Sequence, residues 1–119
     1  KNSKKINVFE KGNLRRDFTF INDVVASIDK LIIKSLKKNK PFFEIFNIGN
    51  NNPVKVNRFI QIMEKNLDKK SKKIFKKKPK TDLVFTNSNS NKLIKFIRYK
   101  PHTTIKSGLK LFFNWFDKI

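Results

Sequence analysis

The chain has 119 residues, room for one small domain or for a piece of a larger one. It is 38% hydrophobic with 13 Phe, which is enough for a packed core and excludes wholesale disorder. The absence of Cys rules out disulfides, thiolate metal ligands and a cysteine nucleophile, and no apolar run reaches membrane-spanning length.

The formal net charge of +20 invites a nucleic-acid partner, because clustered lysines attract a phosphate backbone. Composition offers a plainer source. Lys, Asn, Ile and Phe, all encoded by A- and T-rich codons, fill about half of the chain, against a single Ala and 3 Gly. Lys far outnumbers Arg, whereas nucleic-acid readout favours the bidentate guanidinium. A nucleic-acid partner is therefore disfavoured. With no membrane span and no signal-peptide apolar region, a cytoplasmic setting is the expectation. A first residue of Lys1 rather than Met reads as a truncation or processing point.

Residues Ile6 to Phe9 form a short β-like run, closed by a turn around Lys11-Gly12-Asn13. Arg15 to Ile21 is rich in β-formers and reads as extended. Asn22 or Asp23 then caps a helix whose apolar face is Val24, Val25, Ile28, Leu31, Ile32 and Leu36. Lys37, Lys38 and Lys40 suit its negative end, and Pro41 bars continuation. Phe42 to Ile48 reads as a buried strand running into the turn-rich Gly49-Asn50-Asn51-Asn52-Pro53. Val56, Phe59, Ile60, Met63 and Leu67 recur three and four apart, the clearest amphipathic helix of the sequence. This strand, turn, helix rhythm, repeated, is that of an α/β fold.

The Lys-rich stretch from Asp68 to Lys80 reads as a linker or, at Lys73 to Lys76, as an edge strand. Leu83 to Phe85 is a further β candidate, and Thr86 to Asn91 a polar loop capping a short helix at Lys92 to Phe96. Thr103 or Thr104 caps a final helix whose core face is Ile105, Leu109, Phe112, Trp115 and Phe116.

No glycine-rich phosphate-binding turn is present. The single His, His102, beside Pro101, reads as a solvated turn residue, since no second His or Cys can join it in a metal site. The 9 Asp and Glu are scattered, without a carboxylate pair. Self-contained catalysis is not expected.

Two segments are more specific than this composition predicts: Gly12-x-x-x-Arg16-Asp17-Phe18-Thr19-Phe20-Ile21-Asn22-Asp23, leading into a helix, and Phe46-Asn47-Ile48-Gly49-Asn50 with Pro53-Val54 beyond. Together they resemble the C-terminal half of the extended short-chain dehydrogenase/reductase family, in particular its NAD-dependent UDP-glucuronate epimerases. The likeness continues through Asp82, at the Asp of a G-D-(V) turn, to Pro101-His102-Thr103-Thr104-Ile105 with Gly108, Phe112 and Trp115. It departs at Phe20 for Tyr, Asn22 for Asp, Thr81 for the Gly before Asp82, and Asn89 for Asp.

The resemblance implies an α/β chain that is the C-terminal part of an extended Rossmann-type epimerase. Residues 1–54 would hold the last strand and helix of that layer and the start of the substrate site, and 55–119 the small sugar-nucleotide-binding lobe. It assigns Arg16 to the diphosphate of a UDP-sugar, where a guanidinium donates bidentate hydrogen bonds, and Asp82 to the nucleotide ribose. The bland alternatives are an Arg16–Asp17 pair and a plain turn Asp82. Lys78 or Lys80 would stand where relatives carry a basic or polar residue before the turn, and the Gly49 to Asn52 loop would line the nucleotide pocket. No catalytic residue falls in this chain. NAD would be bound mainly by an N-terminal half, with its Tyr, Lys and Ser or Thr, and a homodimer of the full-length enzyme would also rest on that half. The runners-up are a UDP-sugar decarboxylase or dehydratase of the same family and a small Lys-rich nucleic-acid-binding protein.

Overall fold

A computed structural model describes residues 4–39, 41 and 43–118. The elements run β1 (Ile6–Phe9), a 3-10 turn (Glu10–Gly12), β2 (Arg15–Arg16), α1 (Ile21–Leu36), β3 (Val54–Lys55), α2 (Val56–Asn66), β4 (Lys73–Lys76), α3 (Asn91–Ile97) and α4 (Ile105–Phe116). The strands form two ladders of two. β1 pairs in parallel with β4, Ile6 opposite Lys73 through Phe9 opposite Lys76. β2 pairs antiparallel with β3, Arg15 opposite Lys55 and Arg16 opposite Val54. The Lys73 to Lys76 stretch is therefore the edge strand that its composition allows.

Gly12 closes the first turn with φ +78°, a backbone state that favours glycine. Its position is also sterically closed, because an added Cβ would lie 2.7 Å from the Cβ of Asn57 in the first turn of α2. The Val56 N–H donates to the Leu14 carbonyl at 2.9 Å, and Phe18 stacks on Phe59 with centroids 4.6 Å apart. These contacts fix the first motif against α2. The main hydrophobic cluster lies between α2 and α4: Ile62, Leu109 and Phe113, flanked by Phe59, Met63 and Ile105.

Five expectations need correction. α1 begins at Ile21 with Phe20 in the N-cap position and no side-chain cap, so neither Asn22 nor Asp23 serves there. Its apolar stripe is not covered: Val25, Ile32 and Leu36 are 57%, 54% and 81% exposed. Phe43 to Ile48 joins no described ladder, and Phe43 and Ile45 are exposed; Phe42 and the helix-ending Lys40 lie outside the described residues. Leu83 to Phe85 shrinks to a single parallel bridge, Arg15 opposite Phe85. On α4 the buried side is Leu109 and Phe113, while Phe112, Trp115 and Phe116 stay partly exposed, with Phe112 packed on the rings of the other two.

One cause links the exposed helix stripe to the unladdered strand segment. The described chain is a slab of 56 × 38 × 18 Å with a radius of gyration of 17.6 Å, against about 13–14 Å for a compact domain of this length. Among the described residues no element covers the apolar stripe of α1, and a strand forms only beside another strand's edge.

Where β4 meets α2, Glu64 is 6% exposed and accepts from Lys73 Nζ at 2.7 Å, Ser71 Oγ at 2.6 Å and Ser71 N–H at 2.9 Å. The hydrogen bond from Lys73, then those from Ser71, hold its carboxyl down at about 2, below the ordinary 4.5. A carboxyl lowered in the fold stabilises above its unfolded value and loses that contribution as pH falls. Amide exchange across Lys73 to Lys76 is therefore expected to accelerate as pH drops from 4.5 toward 2, relative to the global core. Glu64→Gln should remove that pH dependence; an unchanged profile in the variant would refute the assignment.

Candidate functional site

The first motif runs through β2, where successive side chains point to opposite faces. Arg16 ends that strand and Asp17 follows it, and the two side chains take different partners. Arg16 Nη2 donates to Asp82 Oδ1 at 2.7 Å across 66 residues of sequence, with the two side chains 23% and 36% exposed. Arg16 Nη1 donates to the Arg15 carbonyl at 2.9 Å. Asp82 sits in a turn closed by its own N–H on the Pro79 carbonyl at 3.1 Å, without the glycine common there. Of the two nearby lysines, Lys78 turns in: its Nζ donates to the Asp82 carbonyl at 2.8 Å, while Lys80 is exposed. The two residues assigned separately to diphosphate and ribose thus form one cluster, with a second cation beside it.

Asp17, on the other face, holds three backbone segments together. Its Oδ2 accepts from Asn51 N–H at 3.0 Å and Ser88 N–H at 2.9 Å, and its Oδ1 from Asn52 N–H at 3.2 Å. This was the residue that sequence reasoning missed, and the period-2 alternation of a strand was the signal that separated it from Arg16. Behind it, Asp17, Thr19, the 46–49 segment and the 86–89 segment enclose a cleft of about 460 Å³. Gly49 lines this cleft, but Arg16 and Asp82 do not.

Asp23, 3% exposed, is a second organising carboxylate. Its Oδ1 accepts from Tyr99 Oη at 2.7 Å, and its Oδ2 from Thr103 N–H at 2.8 Å and His102 N–H at 3.2 Å. Burial pushes its pKa up, but the hydrogen bonds from Tyr99, Thr103 and His102 outweigh it and leave the carboxyl below its ordinary value. Burial first, then Asp23, pushes the Tyr99 hydroxyl up to about 12. The network continues to the second motif, because Asn50 Nδ2 donates to the Thr103 carbonyl at 3.0 Å and Asn50 N–H to Thr19 Oγ1 at 3.2 Å. The His102 ring is 73% exposed, a solvated turn residue as expected.

The three glycines are set by packing. Gly12, Gly49 and Gly108 are closed by Asn57, by Ser88 and by Phe20 respectively, so each serves local packing.

No family model matches the chain. It is 45% identical over 113 residues to an uncharacterised protein of Methanocaldococcus jannaschii, spanning 95% of this chain and 33% of that one. It is 37% identical over 125 residues to UDP-glucuronate 4-epimerase 4 of Arabidopsis thaliana, spanning 95% and 29%. In fold it superposes on a Bacillus cereus UDP-glucuronic acid 4-epimerase, solved with UDP-glucuronic acid and NAD, at a TM-score of 0.80 and 24% identity, over 98% of this chain and 36% of that one. The chain thus spans about a third of the length of its curated relatives, the C-terminal part.

Proposed function

This chain is homologous to the C-terminal part of NAD-dependent nucleotide-sugar epimerases of the extended short-chain dehydrogenase/reductase family, and from that premise we propose that it supplies the sugar-nucleotide-binding portion of a UDP-glucuronate epimerase-like enzyme. Residues 1–54 carry the end of the Rossmann-type layer and the start of the substrate site, and 55–119 the substrate lobe. Arg16 grips the diphosphate through charge-assisted hydrogen bonds. Asp82 accepts from the ribose hydroxyls, and the pair that these two make with one another holds both in place until ligand arrives. Each terminal nitrogen of Arg16 keeps a second N–H for phosphate oxygens. NAD, bound by the family's N-terminal portion, supplies the hydride acceptor that transient oxidation of the sugar requires. No group of this chain performs that step, so the chain alone does not epimerise.

The observation that carries this reading is the 2.7 Å contact between Arg16 and Asp82, which two motifs far apart in sequence bring together. Calorimetric titration with UDP and with UDP-glucuronate tests it. Arg16→Ala is expected to weaken both ligands about tenfold or more, the loss that follows from removing a charge-assisted hydrogen bond. Equal affinity in the variant, or no UDP binding by the unmodified chain, overturns the reading. Conversion of UDP-glucuronate by the chain alone overturns the dependence on NAD-binding machinery elsewhere. Tight binding of oligonucleotide with a steep negative salt slope would instead place the lysines in nucleic-acid recognition.

A further inference from the structure

We propose that Asp17 is the positioning residue of the Arg16–Asp82 pair: it locks the register of the 82–88 segment against β2 and so sets Asp82 opposite Arg16. Backbone pairing between these segments is thin. Arg15 N–H donates to the Val84 carbonyl at 3.0 Å and Thr86 N–H to the Arg15 carbonyl at 3.2 Å, which together make the single Arg15–Phe85 bridge. One bridge specifies register weakly. A slip of one residue moves a strand about 3.3 Å, more than any hydrogen bond tolerates.

Asp17 adds the locks that the bridge lacks. Its N–H donates to Thr86 Oγ1 at 3.3 Å, and its carboxylate accepts the Ser88 N–H at 2.9 Å. Asp82 lies on the same segment, only four residues before Thr86. The carboxylate also anchors Asn51 and Asn52, so both of its oxygens are engaged with backbone. It faces away from Arg16 and acts through the strand. The link to ligand binding rests on the diphosphate reading above; the positioning of the pair does not.

The test is a double-mutant cycle on stability. Arg16→Ala and Asp82→Ala are combined by urea unfolding, first in the parent chain and then with Asp17→Ala, or with Asp17→Asn and Thr86→Val should Asp17→Ala fail to fold. Non-additivity is expected in the parent and its loss in the Asp17 or Thr86 background. A residue that merely stabilised the fold would lower every midpoint and leave the non-additivity intact, and that outcome overturns the proposal. So does additivity in the parent chain, since there would be no pair to position. UDP titration adds a second readout: Asp17→Ala is expected to lose as much affinity as Arg16→Ala, with no further loss in the double variant. Absence of UDP binding in the parent sinks the diphosphate reading alone, because the stability cycle still decides the role of Asp17.

Discussion

Gly49→Ala is expected to destabilise the chain by about 3 kcal/mol or more, the upper range for forcing an atom into a closed space. An added Cβ at Gly49 would collide with the Ser88 Cβ, lie 2.7 Å from Ser88 Oγ and stand 3.0 Å from Asp17 Oδ2. None of the three yields easily. Ser88 is pinned through its N–H to Asp17 and through its hydroxyl to Ser90 at 2.9 Å, and the Ser90 hydroxyl in turn donates to the Gly49 carbonyl at 3.0 Å. The collision therefore pushes directly on the Asp17 clamp. Urea unfolding measures the effect, and Gly49→Ala combined with Ser88→Gly is expected to recover at least half of it. A loss within about 0.5 kcal/mol, the scatter of ordinary surface changes, would show that the two segments do not approach as described.

Asp23→Ala is the second large effect, about 3 kcal/mol. Removing the carboxylate strands the Tyr99 hydroxyl and two backbone N–H groups in a part-buried setting, each costing about 1–3 kcal/mol before relaxation and hydration reduce the sum. The pH dependence carries a definite sign. The Asp23 carboxyl is lowered in the fold, so its contribution is present above its ordinary 3.8 and is lost as pH falls below it. Tyr99 works in the other direction, with its hydroxyl raised from 10.0 to about 12, so its contribution is lost as pH rises through that interval. Asp23→Asn should flatten the acid flank of the thermal midpoint against pH and make the alkaline flank shallower, since burial of Tyr99 remains. Flanks as steep as in the parent chain would refute the Asp23–Tyr99 assignment.

Most helices were legible because each follows a rule that needs no distant partner. α2 was visible in apolar spacing, the start of α4 in Thr104, whose side chain accepts from the Ser107 N–H, and β4 in its lysines. What failed depended on surroundings. The α1 stripe and the Phe43 to Ile48 segment have the patterns of buried elements, but a pattern states only what a surface could bury, not what lies beside it. Arg16 and Asp82 were singled out by resemblance; their contact was not visible, because nothing local links positions 66 residues apart. Asp17 was missed and Asp23 misread for a shared reason. A carboxylate beside a cation or at a helix start suggests a local partner, whereas both reach backbone N–H groups far along the chain.

The 18 Å thickness of the slab has a calorimetric consequence. Heat capacity rises on unfolding mainly because apolar surface becomes hydrated, and here much of α1 is hydrated before unfolding begins. The heat-capacity increment should fall below the roughly 1.4–1.8 kcal/mol/K expected for a compact chain of this length. A small increment flattens the stability curve, so the folded fraction should vary little between cold and ambient temperature. Any surface that docks on α1 would then announce itself as a sharper curvature of that curve.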